Sequence, residues 1–417
     1  MQIKCILNRI QKFQSFVYKR AQLKEEDGVL VLLVYIEPRT NSWLKCSRCG
    51  KQCRGYDTIG RRRFEFVPMW GIKVFFMYLM RRCNCPDCGV VVEAVPWAEG
   101  KQQLTTTYAW FLADWAKRMS WKEVARSFKT TWEHVFNAVR MAVRWGLKHR
   151  NLESITAIGI DEVQWHHGQN YLTVVYQINQ ECKRLIWVGR ERTEDTLKSF
   201  FSFFGTRRSS LLEFICSDMW KPYLNVIAEK AAGALHVLDR YHIVAKMNKA
   251  LDEVRAAETK ELKIKGYEPV LTKSRWCFLK RPENLTDKQD TALAELLRYN
   301  LKSVRAYLLK EEFRLFWDYT YPGCAVKFMD AWCNRTMRSR IDPMKKIARM
   351  LRAHQPKILN WFRARNVVSL GAVEGLNNKE KLITRKSYGF RTFKAIQIAL
   401  YHTLGDLPEP ITAHRFY

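Results

Sequence analysis

Two acidic residues stand where short apolar runs stop. Asp161 closes Ile158-Gly159-Ile160-Asp161, and Asp218 closes Phe214-Ile215-Cys216-Ser217-Asp218. If the strands that carry them lie side by side, both carboxylates leave the same edge of a sheet. Carboxylate oxygens about 4 Å apart repel strongly unless a cation sits between them. Hard oxygen ligands of this kind suit Mg2+ or Mn2+. A third carboxylate, Glu374, is the only acid between Asp342 and Glu380. It lies in the most basic part of the chain, residues 331–400, where 16 Lys or Arg face 3 Asp or Glu. An isolated acid among phosphate-binding residues is where a metal ligand is expected. Each acid also has an ordinary reading. A strand-end Asp is commonly a cap, Glu162 is able to exchange roles with Asp161, and Glu374 could be a plain helix ion-pair partner. Asp239 and His242, in Asp239-Arg240-Tyr241-His242, either tune such a site or form a capped turn, and they are kept outside the triad.

A second chemistry is written in sulfur. Twelve cysteines are present, seven of them before residue 90. Cys46-Ser47-Arg48-Cys49 and Cys85-Pro86-Asp87-Cys88 are Cys-x-x-Cys pairs, followed by Gly50 and Gly89. Such a knuckle aims two thiolates at one ion, and the glycine serves a backbone turn of positive φ. Two knuckles supply the four sulfurs of one structural, tetrahedral Zn2+, so Cys46, Cys49, Cys85 and Cys88 are the expected ligands. Between the pairs, Arg63–Val67 and Ile72–Met80 read as strands whose hairpin carries one knuckle back to the other. Cys53 and Cys83 are spare, and Cys83 is able to replace Cys85.

The remaining elements are those that must position these groups. A short helix near the start and a strand at Gly28–Ile36 precede the knuckles. Ser120-Trp121-Lys122-Glu123 is a capping box, and Thr130 with Glu133 reads as a second one. Val135, Phe136, Val139 and Val143 form one face of the following helix. Two capped helices across a short turn suit a helix-turn-helix, which would offer Trp132, His134, Asn137 and Arg140 to a DNA major groove. From 151 to 260 the pattern is three strands, then helix, strand, helix, strand, an α/β order with a starting meander. Residues 261–417 are helical in composition.

Length and composition bound the rest. The chain has 417 residues, 47% hydrophobic and 13% aromatic, a globular composition large enough for several domains. The net charge is +30, which calls for a polyanionic partner such as nucleic acid. No apolar run reaches the roughly 20 residues of a membrane-spanning helix. The N-terminus lacks the apolar core and cleavage site of a signal peptide, and a cytoplasmic, nucleoid-associated protein is expected.

Taken together, the knuckles, the helix-turn-helix, Gly159-Ile160-Asp161-Glu162, Ser217-Asp218-Met219-Trp220-Lys221-Pro222-Tyr223, Leu238-Asp239-Arg240-Tyr241-His242, Glu374-Gly375-Leu376-Asn377-Asn378-Lys379 and Tyr388-Gly389-Phe390-Arg391 resemble the ISL3 family of bacterial insertion-sequence transposases from about residue 40 to 405. Cys83 departs from it, standing where an aromatic residue is expected. The resemblance implies an α/β, ribonuclease H-like catalytic core with a long helical insertion and a DDE triad on Asp161, Asp218 and Glu374, holding two Mg2+ or Mn2+ ions. It divides the chain into 1–100 with the zinc module, 101–150 with the helix-turn-helix, a core of 151–260 and 366–405, and an insertion of 261–365. Terminal inverted repeats and target DNA would be the substrates, bound by a homodimer or higher oligomer. Asn377, Asn378, Lys381, Arg385, Lys386 and Arg391, following Glu374, are the candidates for contact with the DNA backbone. A regulator that binds DNA without catalysis, a domesticated relative, or a ribonuclease H-like nuclease or resolvase are the competing functions.

Overall fold

The computed structural model describes residues 3–165, 170–267, 270–365, 367, 371–387 and 389–411. It divides into two compact units, one of residues 1–150 and 382–417, the other of 151–381.

The first unit opens with helix α1 (Ile3–Ile10), followed by strands β1 (Phe16–Glu26), β2 (Val29–Pro38), β3 (Leu44–Lys45), β4 (Gln52–Met69), β5 (Ile72–Cys85) and β6 (Gly89–Val92). These form one sheet in the order β1-β2-β5-β4-β3, with β6 on β5. Alternation builds its core: Phe64 and Phe66 on β4 and Val74, Phe76 and Tyr78 on β5 all point inward against Trp97. The long β4–β5 hairpin turns at Trp70 and Gly71, both at positive φ, and returns the chain so that Gly55 pairs with Cys83. Helices α2 (Thr106–Arg118), α3 (Trp121–Ser127) and α4 (Trp132–His149) follow. Ser120 and Glu123 form the expected capping box on α3. The second expected box is corrected. Thr131, not Thr130, caps α4 by accepting from the His134 N–H, while the Thr130 hydroxyl bonds His134 Nδ1 at 2.9 Å. Lys129, at φ 50, turns the chain so that the cap falls one residue later.

The second unit carries β7 (Ala157–Gln164), β8 (Tyr171–Ile178), β9 (Lys183–Arg190), helices α5 (Glu194–Phe204) and α6 (Thr206–Ser210), β10 (Phe214–Ser217), α7 (Lys221–Lys230) and β11 (Leu235–Leu238). The strand order is β11-β10-β7-β8-β9. β7 and β8 are antiparallel, as are β8 and β9, whereas β10 runs parallel to both β7 and β11. Ile158, Ile160, Val175 and Ile215 of the sheet pack with Leu197, Phe200, Phe204, Tyr223 and Ile227 of α5 and α7. Then come α8 (Arg240–Ile264), α9 (Arg275–Leu279), α10 (Asp287–Leu296), α11 (Lys302–Arg314), α12 (Pro322–Met337) and α13 (Asp342–Ala364), sharing one apolar core around Trp332, Phe313 and Leu351. Helix α14 (Ala372–Lys386) carries Glu374, and α15 (Phe393–Leu404) is the last helix.

Residues 382–417 group with the first unit. The reason is apolar packing. α15 buries Ile396, Ile398, Leu400 and Leu404, and it packs on α4. Gly146 of α4 has no side chain where Leu407 passes, since a Cβ there would lie 2.6 Å from the leucine Cβ.

Candidate functional site

The strand pairing answers the first question posed by the two aspartates. β7 and β10 are neighbours and parallel, pairing Ala157 with Phe214 and Gly159 with Cys216. Asp218 follows β10 directly. Asp161 does not end its strand: β7 continues to Gln164 because its antiparallel partner β8 still pairs there, Asp161 opposite Val174. Asp161 therefore lies just past the stretch flanked by β10. Gly159 and Asp161 share one face of the strand, opposite to Ile158 and Ile160. Helix α14 crosses that face closely, for a methyl group on Gly159 would overlap Val373. The glycine of Gly-Ile-Asp-Glu is thus the residue that lets the Glu374 helix approach Asp161.

Asp161 and Glu374 line one cleft of about 330 Å³ together with Glu162, Asp239, His242, Asn377, Asn378 and Lys381. Asp218 is not among its lining residues; it joins the group through Arg192. The Arg192 guanidinium donates to Asp218 Oδ2 at 3.1 Å and lies 2.7 Å from Glu162 Oε1, with its plane over the Trp220 ring. On the other side His242 Nε2 lies 3.5 Å from Asp161 Oδ1 and 3.8 Å from Asp239 Oδ2. Arg192 and His242 thus stand between these acids. The three carboxylates of the triad do not close on one point. Among the described residues, the only three or more Cys, His, Asp or Glu side chains with ligand atoms all within 4.8 Å of one another are the four cysteines.

Burial and charge leave clear marks on the protons. Burial, reinforced by the negative charge of Asp218, pushes Glu162 up to about 8. Burial raises Asp239 to about 6. The Asp161 carboxylate holds a proton on His242, whose value rises to about 9. A hard divalent ion fits this donor set: oxygen ligands in excess, from the buried Asp161 to the exposed Glu374, facing a cleft with cationic side chains among them.

Asn377, expected to face DNA, is turned inward. Its amide oxygen accepts from Tyr176 OH at 2.8 Å and its amide nitrogen donates to Asp161 Oδ2. It therefore ties α14 to β7 and β8. Asn378 and Lys381 line the cleft, and Arg385 is exposed. Lys386 and Arg391 lie in the first unit beside Trp121 and Trp132. Tyr388 lies outside the described residues. Of the helix α4 candidates, Trp132 is half exposed and Arg140 lies over the Phe136 ring. His134 lines a hollow with Arg61, Arg62, Arg63 and Lys101, and Asn137 is half-buried. The three consecutive arginines are a basic signal visible in the sequence itself. Arg192 offered no comparable signal, being one arginine in a loop of mixed charge.

The cysteine centre forms where expected. Cys46, Cys49, Cys85 and Cys88 converge, and the Cys49 and Cys85 sulfurs are 3.6 Å apart. A tetrahedron with Zn–S bonds of about 2.3 Å has edges of roughly 3.8 Å, so the quartet fits zinc. Gly50 and Gly89 take φ 74 and 71. The backbone N–H of Cys49, then that of Arg48, holds Cys46 down to about 6, while burial among neighbouring sulfurs pushes Cys88 up to about 12. Cys53 and Cys83 pack beside the quartet without joining it.

Comparison with known proteins gives the same direction. A family model for ISL3 transposases, described as "Transposase", matches residues 158–400. The transposase for insertion sequence element IS1001 of Bordetella parapertussis is 26% identical over 93% of this chain and 94% of its own length. The transposase for insertion sequence element IS1557 of Mycobacterium tuberculosis is 28% identical over 92% of this chain and 90% of its own length.

Proposed function

This chain belongs to the ISL3 transposase family, and from that premise we propose that it binds the terminal inverted repeats of an insertion sequence and cuts and joins DNA strands by a DDE mechanism at Asp161, Asp218 and Glu374. The observation that carries this reading is the parallel pairing of β7 with β10 beneath a helix that brings Glu374 into the cleft of Asp161. The strand order, with the first and fourth strands adjacent, supports a ribonuclease H-like core for the second unit.

Two Mg2+ or Mn2+ ions, held by the three carboxylates when bound, would supply an activated water and offset charge on the leaving 3′-oxygen. The chain's own groups do the positioning. Gly159 sets the approach of α14, and Asn377 orients Asp161. His242 and Arg192 keep the acids from repelling one another. Asn378, Lys381 and Arg385 would hold phosphates near the cut bond. No covalent protein nucleophile is needed, because a freed 3′-hydroxyl attacks the target strand directly. One structural Zn2+ on Cys46, Cys49, Cys85 and Cys88 would fix the two knuckles together at the open end of the β4–β5 hairpin, and α3 and α4 would serve as the helix-turn-helix. Pairing two transposon ends calls for a dimer or larger assembly on DNA.

The test uses Asp161→Asn, Asp218→Asn and Glu374→Gln. Each is expected to lose cleavage of transposon-end DNA in Mg2+ or Mn2+ while still binding it. If all three still cut, the triad is wrong. Supplying an end with a free 3′-hydroxyl should yield joined product; cutting without joining would mark a nuclease or resolvase instead.

A further inference from the structure

One hollow of the first unit is not explained by a helix that reads duplex DNA. It measures about 930 Å³, within the range of roughly 300–1,000 Å³ of ligand sites, and it lies between the start of α3, the start of α4 and the segment leading into α15. Its floor is aromatic. Trp132 stacks on Phe136 with centroids 5.2 Å apart and planes only 5° from parallel. Trp121 packs against both rings, and Phe390 packs against Trp121. Trp121 and Phe390 are buried, yet Trp132 is 49% exposed. One face of an indole is thus backed by a ring and the other is open.

The rim is basic. Lys122, Arg126, Lys386 and Arg391 line the hollow. Among the described residues Lys122, Arg126 and Arg391 form no ion pair. The one acid there, Glu123, is already engaged: its carboxylate accepts from the Ser120 N–H and hydroxyl in the α3 capping box. The rim therefore sets four cations against one acid around an exposed ring. Phosphate answers the charge, and a planar base answers the ring. A base inside a duplex has no free face to give, so the complementary ligand is a nucleotide out of its stack.

We infer that this groove takes an unpaired nucleotide of the bound DNA, with its base on Trp132 and its phosphates on Lys122, Arg126 and Arg391. The inference rests on the DNA-binding reading above and adds the form of DNA that the first unit selects. Duplex lying along α4 is the alternative occupant.

The full-length protein is titrated with two probes of the same sequence. One is a blunt duplex, and the other carries a single-stranded end with 2-aminopurine at the junction. The natural chain is expected to prefer the single-stranded end by roughly tenfold, the scale of one stacked base, and to quench the 2-aminopurine emission. In Trp132→Ala that ratio falls to about one and the quench disappears; Trp132→Phe restores both. Equal binding of the two probes by the natural chain, or a ratio unchanged in Trp132→Ala, overturns the inference. Weak binding of both probes alike by Trp132→Ala, with the ratio kept, assigns the ring to duplex. Failure of the natural chain to bind either probe would instead overturn the DNA-binding function itself.

Discussion

Arg192 is the side chain on which the acidic site most depends before any ion arrives. It bonds Asp218 and pairs with Glu162, and among the described residues neither has another cation so close. Arg192→Gln is expected to lower the thermal stability of the metal-free protein. The cost should be about 2 kcal/mol, below the roughly 3–5 of a fully buried pair because the arginine is partly exposed. Adding Mn2+ should recover more stability in the variant than in the natural chain, since an ion then replaces the missing charge. Equal Mn2+ shifts in the two proteins would contradict that role. A different residue contributes to the acid sensitivity of the first unit. His402 is buried on α15 and its value is driven down to about 3 by burial, with Lys117 and Lys386 adding to it. Unfolded, the imidazole binds a proton below about 6.5, while the folded form refuses it. Stability is therefore full above pH 6.5 and falls as the pH drops toward 3, by up to about 1.4 kcal/mol per unit from this group. His402→Leu should flatten the fall of melting temperature between pH 6.5 and 4; an unchanged slope would rule out this source. Neither residue was legible as functional in the sequence, because a loop arginine and a helix histidine acquire their roles only from what packs beside them.

At the scale of elements, two expectations can be separated by substitution. Thr131→Ala should cost about 1 kcal/mol by removing the α4 cap, whereas Thr130→Ala should cost only a few tenths through the lost bond to His134. The reverse order, measured by denaturant unfolding, would restore the earlier register. Gly159→Ala should force α14 off β7 and lower strand cleavage, with binding of transposon ends kept and stability down by about 1–3 kcal/mol. Adding Val373→Ala should recover cleavage, and no recovery would mean that close approach is not what the glycine provides. In the knuckles, Cys85→Ser should lower bound zinc measured per chain, while Cys83→Ser should not. The hairpin was readable because alternation and turn residues are local. That Cys85 rather than Cys83 joins the quartet was readable too, from its Cys-x-x-Cys spacing to Cys88, although both cysteines sit on the same face of β5.

For the molecule as a whole, the charge of +30 governs its dealings with DNA. Affinity should fall by about 0.9 log units per phosphate contact for each tenfold rise in salt, and a flat response in a filter or fluorescence titration would refute the electrostatic argument. No helix among the described residues is long and apolar enough to cross a membrane. The order of strands and helices over 151–260, both knuckles and the candidate acids were determined by the sequence alone, because period, turn chemistry and ligand spacing are properties of neighbouring residues. Only the tertiary structure decided that Asn377 turns inward to Asp161, that Arg192 and His242 stand between the carboxylates, and that α15 packs with α4. These are contacts across tens to hundreds of residues. They are selected by which apolar faces and charges find each other in space, and that competition leaves no periodic trace along the chain.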